Sequence, residues 1–425
     1  MKTPSRHPNA LALAALAALL APLLASAASW PQYHGPHTNN VASEDFPSSA
    51  WGEPKVLWKH QTGAGFSSFA VAGGMAFTLF TQEIDGIPRE SCVAYDATSG
   101  EQLWSAPLGI ARYDCGGDSG TRNNKGGDGP RSTPSYSEGK LYALDARLAL
   151  FCFDARSGEL VWSRDIGKDH DGQELRWQNA ASPLVIGDRL FLAGGGSVQA
   201  LLALDKNSGK TLWAVGDDKL THATPIHTTL HGTEQIIFFT QKGLVSVVPD
   251  SGTELWRYPF PFNTSSAASP VVWEDIVFCS AGYGVGAGAV RIAKQGDRFA
   301  ATEIWRTPND NINHWSTPIV HDGYLYGMFS FKDYGSGPLA CVDIRTGKMR
   351  WKEKGFGPGN VILAGSTLLA LSDDGHLVAA QASPTKYSEI GRAKILDGKC
   401  WSTPALADGK IYARSTEEAV CLEFR

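Results

Sequence analysis

Eight side chains able to hold or stack on a ligand stand within a few residues of short Ser/Thr-Pro segments. Arg131 precedes Ser132-Thr-Pro134, and Arg176, Trp177 and Asn179 precede Ser182-Pro183. His222 precedes Thr224-Pro225, His314 and Trp315 precede Ser316-Thr-Pro318, and Trp401 precedes Ser402-Thr-Pro404. Guanidinium groups pair bidentately with carboxylates, and indole faces offer stacking surface. Gathered around one mouth, such a set suits a planar, anionic ligand. The connections carrying Tyr283, Gly284, Phe331, Lys332 and Tyr334 are expected on the same face. The plainer alternative is that these residues line a water-filled channel and fasten neighbouring elements together.

Other groupings carry less chemistry. His222, His227 and His231 have the residue types of a metal cluster, but His231-Gly232 reads as a hairpin turn. That turn lies at the far end of a strand from His222, so no metal site is assigned. Asp114, Asp118 and Asp128 fall in a Gly-rich insertion from Pro107 to Gly129 whose spacing is not that of an EF-hand, and it reads as a solvated loop. Gly284-Val-Gly286-Ala-Gly288-Ala289 matches a dinucleotide fingerprint by letter, yet no helix pattern follows it. There is no Gly-x-Ser-x-Gly nucleophile elbow and no zinc-protease helix motif.

The elements that must position these residues repeat along the chain. Asp96-Ala-Thr-Ser-Gly100 leads to Trp104, Asp154-Ala-Arg-Ser-Gly158 to Trp162, Asp205-Lys-Asn-Ser-Gly209 to Trp213, and Asp343-Ile-Arg-Thr-Gly347 to Trp351. Ser251-Gly252 leads to Trp256 without the leading Asp. The pattern is a strand, a tight turn and a returning strand: Asp bonds the turn backbone, and Gly accepts a positive φ without steric cost. Trp305 and Gly391 occupy weaker copies, and Val56-Leu-Trp58-Lys precedes all the others without a hairpin of its own. The eight positions recur every ~40–60 residues, the period of a four-stranded propeller blade.

The Ser/Thr-Pro segments form a second series in step with the first. With divergent openings near Ser67 and Gly359 they also number eight. The expected fold is therefore all-β: an eight-bladed β-propeller of four-stranded antiparallel blades. The outer strand near 56–60 is expected to complete the blade formed by 400–425, closing the ring. Trp58, Trp104, Trp162, Trp213, Trp256, Trp305 and Trp351 are read as structural, each burying its indole between adjacent blades.

Composition supports this reading and sets the compartment. Charged residues make up 19%, glycines number 46, and the formal charge is −5, with no basic block to suit nucleic acid. Lys2, Arg6 and the apolar run Ala10–Leu24 before Ala25-Ser-Ala27 have the layout of a secretory signal peptide. The run is too short to span a bilayer, and no cysteine stands at the cleavage site to carry a lipid. Residues 1–27 are assigned to the leader and 28–425 to one propeller domain, periplasmic or secreted, with no transmembrane segment or lipid anchor. Seven cysteines permit disulfides, but Cys92, Cys152, Cys341 and Cys421 fall at matching inward strand positions and read as buried thiols. Cys115, in a loop, is the better candidate for a bridge.

The Asp-x-x-Ser/Thr-Gly-x-x-x-Trp repeat resembles the quinoprotein-like propellers. That group includes the pyrroloquinoline quinone (PQQ) dehydrogenases and the lipoprotein of the outer-membrane β-barrel assembly machinery. The opening Trp30-Pro-Gln-Tyr-His-Gly-Pro36 further resembles exported bacterial propellers that begin Trp-Pro-Gln-x-Arg-Gly-Pro, with His34 in the arginine position. Gly127–Arg131, Ser280–Gly286 and Asn313-His-Trp315 also resemble that set. The resemblance implies the fold, but one fold hosts many activities. The chain has neither the adjacent Cys-Cys pair of the PQQ alcohol dehydrogenases nor a Cys-x-x-Cys-His haem site.

The leading expectation is a non-catalytic envelope binding or scaffold module that meets a protein or a small planar anionic ligand and requires no cofactor. The alternative is a PQQ- and calcium-dependent oxidoreductase of alcohols or sugars. It would use Trp315 or Trp401 as stacking base and Arg131, His222 and His314 as anchors. A purely structural domain within a larger complex is the third.

Overall fold

In the computed structural model, residues 28–47, 49, 51–113, 129–172, 175, 177–263, 266–329 and 333–424 are described, together with Met1. Residues 2–27, where a leader is expected, and Asp114, Cys115, Asp118, Asp128, Arg176, Phe331 and Lys332 lie outside the described residues.

Strands pair into eight four-stranded antiparallel sheets, each a blade of one ring. Blades 1 to 7 are formed by residues 70–110, 135–165, 184–215, 226–259, 271–307, 319–353 and 360–394. Blade 8 combines 405–423 with the strand Lys55–Gln61, which pairs with Glu418–Glu423 and closes the ring as expected. Second and third strands are covered on both faces by neighbouring blades. Met75–Phe80 and Glu90–Tyr95 are accordingly continuous buried runs, while the outer strand Gln102–Ile110 is largely exposed. The strand includes Pro107–Ile110, so the insertion expected from Pro107 begins only after Ile110.

The repeat motif is a docking device. Asp96 Oδ1 accepts from Thr98 N (3.0 Å), Ser99 N (2.7 Å) and Ser99 Oγ (3.0 Å), holding the turn that ends at Gly100. Gly100 has φ +75°, and a Cβ there would stand 2.5 Å from the Trp58 ring. The indole N–H of Trp58 donates to Ala97 O (3.1 Å) in that same turn. Blade 8 thus seats its tryptophan on the turn of blade 1. Trp104, Trp162 and Trp213 do the same on Gly158, Gly209 and Gly252, with N–H bonds to Ala155 O, Lys206 O and Pro249 O. Trp305 sits on Gly347 and bonds Ile344 O, and Trp351 bonds Ser383 O. Glycine is required twice over, for its positive φ and for the bare surface on which the ring lies.

Two junctions depart from this scheme. Trp256 packs between blades 4 and 5, but its N–H turns back to Gln235 Oε1 (2.8 Å) in its own blade. At blade 7 the tryptophan position is Gly391, and Trp51 from the chain's N-terminal segment fills the space, 1.8 Å from where a Cβ would stand. Trp51 also lies 4.7 Å from Phe424, which meets Phe46 edge-on at 5.4 Å, so both ends of the chain pack together here.

At the closing seam between blades 8 and 1, Arg414 is fully buried. Its guanidinium donates to the carbonyls of Leu79, Gly63 and Ser415 and to Thr78 Oγ1. Burial lowers its pKa to about 10. The six described cysteines are buried free thiols, with Cys152 pushed up to about 11 and Cys341 and Cys421 to about 12 by burial. They behave as small apolar groups.

The Ser/Thr-Pro segments form a hydrogen-bonded belt around the channel. Thr403 N donates to Ser68 Oγ (2.8 Å), Ser68 N to Thr133 Oγ1, Thr133 N to Ser182 Oγ, and Ser182 N to Thr224 Oγ1, the last three at 2.9 Å. Ser269 N continues the pattern to Thr317 Oγ1 (2.9 Å). The belt changes character between blades 4 and 5, where Ser269 Oγ lies 2.8 Å from Thr224 O. It changes again at blade 7, where Asn360 stands at the opening and its Nδ2 donates to Trp401 O (2.6 Å).

Candidate functional site

Each inner strand starts at the belt, so the residues just before it surround one mouth of the channel. The structure brings most of the expected set together there. Trp177 stacks nearly parallel to Tyr283 (ring centroids 6.1 Å, 13°) and lies 6.5 Å from His222. Tyr283 meets His314 edge-on at 5.1 Å, and His314 lies 5.0 Å from Trp315. Trp315 is 5.0 Å from Trp401, which stacks on Tyr334 (5.7 Å, 14°) and Phe66 (4.9 Å, 19°). The result is a continuous arc of rings contributed by loops from most of the blades.

Cations sit at its rim. Arg131 Nη1 donates to Trp177 O (2.7 Å), and its guanidinium lies 5.9 Å from the Tyr113 ring. Lys399 Nζ lies 4.8 Å from the Trp401 centroid, a cation–π distance. The backbone at the arc is set by local geometry. Trp177 and Gln178 are consecutive left-handed residues (φ 71° and 57°), and Tyr283 has φ 57° ahead of Gly284. Such conformations cost energy outside glycine; Trp177 and Tyr283 are packed on each other, and Gln178 N donates to Leu175 O (2.9 Å).

Asn179 does not belong with the ligand candidates. Its side chain is buried and bonded to Ala181 N, Ala181 O and Asp145 O, where it fastens the connection between blades 2 and 3. His222, His227 and His231 do not converge: His227 stands on the inner strand of blade 4, and His231 Nε2 bonds Ile292 O (2.7 Å) in blade 5. Among the described residues no group of three or more His, Cys, Asp or Glu is arranged to hold a metal ion.

Three contributors escaped the sequence reading. Phe66 precedes the divergent opening Ser67-Ser68 just as Trp315 and Trp401 precede theirs, so the same positional rule extended to blade 1 identifies it. Lys399 is two residues ahead of Trp401. The third is a buried acidic group beside the mouth. Glu90 accepts from Tyr113 O–H and Ala146 N, and burial, reinforced by Asp145, raises its pKa to about 7. Burial likewise raises Asp145 to about 6. No local motif marks this group, because Glu90 lies in the middle of an otherwise ordinary strand.

A quinone stacked on Trp401 does not fit these rings as they stand. Trp401 already carries Phe66 and Tyr334 nearly parallel to it, and Trp315 is held by its N–H bond to Pro358 O (3.1 Å). A planar cofactor on Trp401 would have to displace one of the chain's own rings.

Ring, docked tryptophans and terminal-strand closure define the class as an eight-bladed, PQQ-like β-propeller. Within it, the chain belongs to the family described as outer membrane protein assembly factor BamB, whose model matches residues 88–353. It is 25% identical to a BamB of Shewanella oneidensis over 407 residues, covering 81% of this chain and 95% of that protein. Among solved structures, BamB from Moraxella catarrhalis superposes with a TM-score of 0.60 at 14% identity, over 88% of this chain and 98% of that one. The quinohemoprotein alcohol dehydrogenase of Comamonas testosteroni superposes at 0.64 and 12% identity, over 93% of this chain and 80% of that one. These structural likenesses carry the fold alone.

Proposed function

We propose that the chain is a non-catalytic binding and scaffold module of the cell envelope that meets a protein partner through the aromatic mouth. The observation that carries this reading is the self-stacked arc. Its indoles are paired with the chain's own rings, so the mouth is a preformed aromatic surface with a cationic rim rather than an open slot for a cofactor. Aromatic side chains and Arg are enriched among the anchors of protein interfaces. Membership of a family named for outer membrane protein assembly agrees with an envelope partner. Among the described residues no helix is long and apolar enough to cross a membrane.

The test is capture from envelope extract on immobilised protein, in parallel with a Tyr334→Ala/Trp315→Ala variant that retains its melting temperature. Partner capture by the native chain and its loss in the variant support the reading. Equal capture by both, or none by either, overturns it. Calorimetric titration with PQQ, with and without calcium, separates the enzymatic alternative. Saturable micromolar binding lost in a Trp315→Ala/Trp401→Ala variant that still folds would favour an oxidoreductase.

A further inference from the structure

We infer that residues 30–46 are a built-in stopper that closes the channel end opposite the mouth and locks the ring, leaving the channel a pocket open on one side only. The segment touches every blade. Trp30 exchanges backbone bonds with Val71 of blade 1 (both 2.8 Å), and Pro31 O accepts from Tyr136 N of blade 2 (2.7 Å). Gln32 Oε1 accepts from Val185 N of blade 3 (3.1 Å), and Thr38 Oγ1 both donates to His227 O and accepts from His227 N of blade 4. His34 Nε2 pairs with Ser269 Oγ (2.9 Å) at blade 5, and Asn40 Nδ2 donates to Thr317 O (3.4 Å) at blade 6. Leu363 of blade 7 bonds Asn40 O and Ala42 N, and Glu44 Oε2 accepts from Gly409 N of blade 8 (2.8 Å).

The location follows from these partners. Gly409 and Gly365, which faces Asp45, are hairpin turns joining an inner strand to its neighbour, at the end of the strand away from the belt openings. The segment therefore lies across the far end of the channel. It is also folded on itself: Asn39 N and Asn40 N donate to His34 O, and Gly35 (φ +75°) lies against the Trp30 ring.

Two adjacent side chains engage the belt where its pattern changes. Between blades 4 and 5, His34 takes up Ser269, while its Nδ1 donates to Asn40 Oδ1 (2.9 Å). Across blade 7, the Tyr33 hydroxyl faces the side chains of Thr317 of blade 6 and Thr403 of blade 8. A segment that only happened to rest on the ring would have no reason to meet both irregular places. Tyr33 and His34 thus complete a circumferential network that the blades leave irregular.

The experiment uses the mature chain carrying a protease recognition sequence inserted at Glu53, an exposed position, cut after folding. The expected result is that the released N-terminal piece stays bound through gel filtration. In a Tyr33→Phe/His34→Ala variant the cut piece should dissociate, and amide exchange of the peptides containing Ser68, Thr133, Ser182 and Thr403 should quicken more than tenfold. The uncut variant and Tyr33→Phe alone serve as controls for folding. Ready loss of the piece from the cut native chain, with melting temperature and belt exchange unchanged, overturns the inference. So does a cut double variant that keeps its piece and its slow exchange.

Discussion

On the stopper side of the belt, His34 is enclosed, with its ring nitrogens paired to Ser269 and Asn40, and half-buried Tyr33 faces Thr317 and Thr403. At the mouth, Tyr283 and Tyr334 remain 38% and 51% exposed, with their rings laid on indoles. The same two residue types, tyrosine and histidine, serve both ends. What separates their roles is how completely their polar atoms are answered inside the fold. An enclosed and satisfied group specifies one geometry and loses much if disturbed. An exposed ring over an indole contributes little to stability and keeps its surface for a partner.

The contrast can be broken most forcefully at Trp30, which is 1% exposed. Trp30→Ala should cost about 3–5 kcal/mol in urea unfolding, the range for removing a buried tryptophan. A loss below about 1 kcal/mol would mean that the stopper adds little to the ring.

Proton linkage sharpens the contrast further, because the two ends carry opposite signs. Burial lowers the His34 pKa to about 4 from an ordinary 6.5. Between those values the unfolded chain holds a proton that the fold does not, so stability falls as pH drops from about 6.5 to 4, by about 3 kcal/mol at most. Glu90, raised to about 7, behaves oppositely. Its fold keeps a proton that the unfolded chain has lost, so its contribution falls as pH rises from about 4.5 to 7. Asp145 adds to the Glu90 side. The native chain should therefore show a muted slope where the windows overlap. Chemical denaturation across pH should uncover stability rising with pH in Glu90→Gln and falling with pH in His34→Gln. Unchanged slopes in both variants would remove this distinction between the ends.

The smallest effect on stability is expected at the mouth. Tyr334→Ala should change unfolding free energy by no more than ~0.5 kcal/mol, as surface substitutions commonly do, while weakening partner capture at least tenfold. Destabilisation beyond 2 kcal/mol would place Tyr334 with the locking residues.

The repeat was legible because its chemistry is local. Asp96 through Trp104 declare a turn and a returning strand within nine residues, and the copies keep time around the ring. The closing strand at Lys55–Gln61 was legible because an outer strand lacked its partners and a terminal blade lacked its outer strand. The stopper was not legible. Trp30 to Glu44 bonds single residues scattered from Val71 to Gly409, and no periodicity reports contacts of that kind. Trp51 standing in for the missing indole at Gly391 is hidden for the same reason. Asn179 was misplaced because position alone does not separate an amide that reaches outward from one turned onto its own backbone. Arg414 ends an ordinary alternating strand, and only the closed seam shows that its charge is buried among carbonyls.

The packing of Phe424 against Trp51 and Phe46, beside the stopper, settles which way the molecule faces when held by an end. A bead, a sensor chip or a fusion partner attached just ahead of Trp30 or beyond Phe424 meets the stoppered side, and the ring of aromatic side chains points into solution. Tethering at those two places is thus orientation-equivalent.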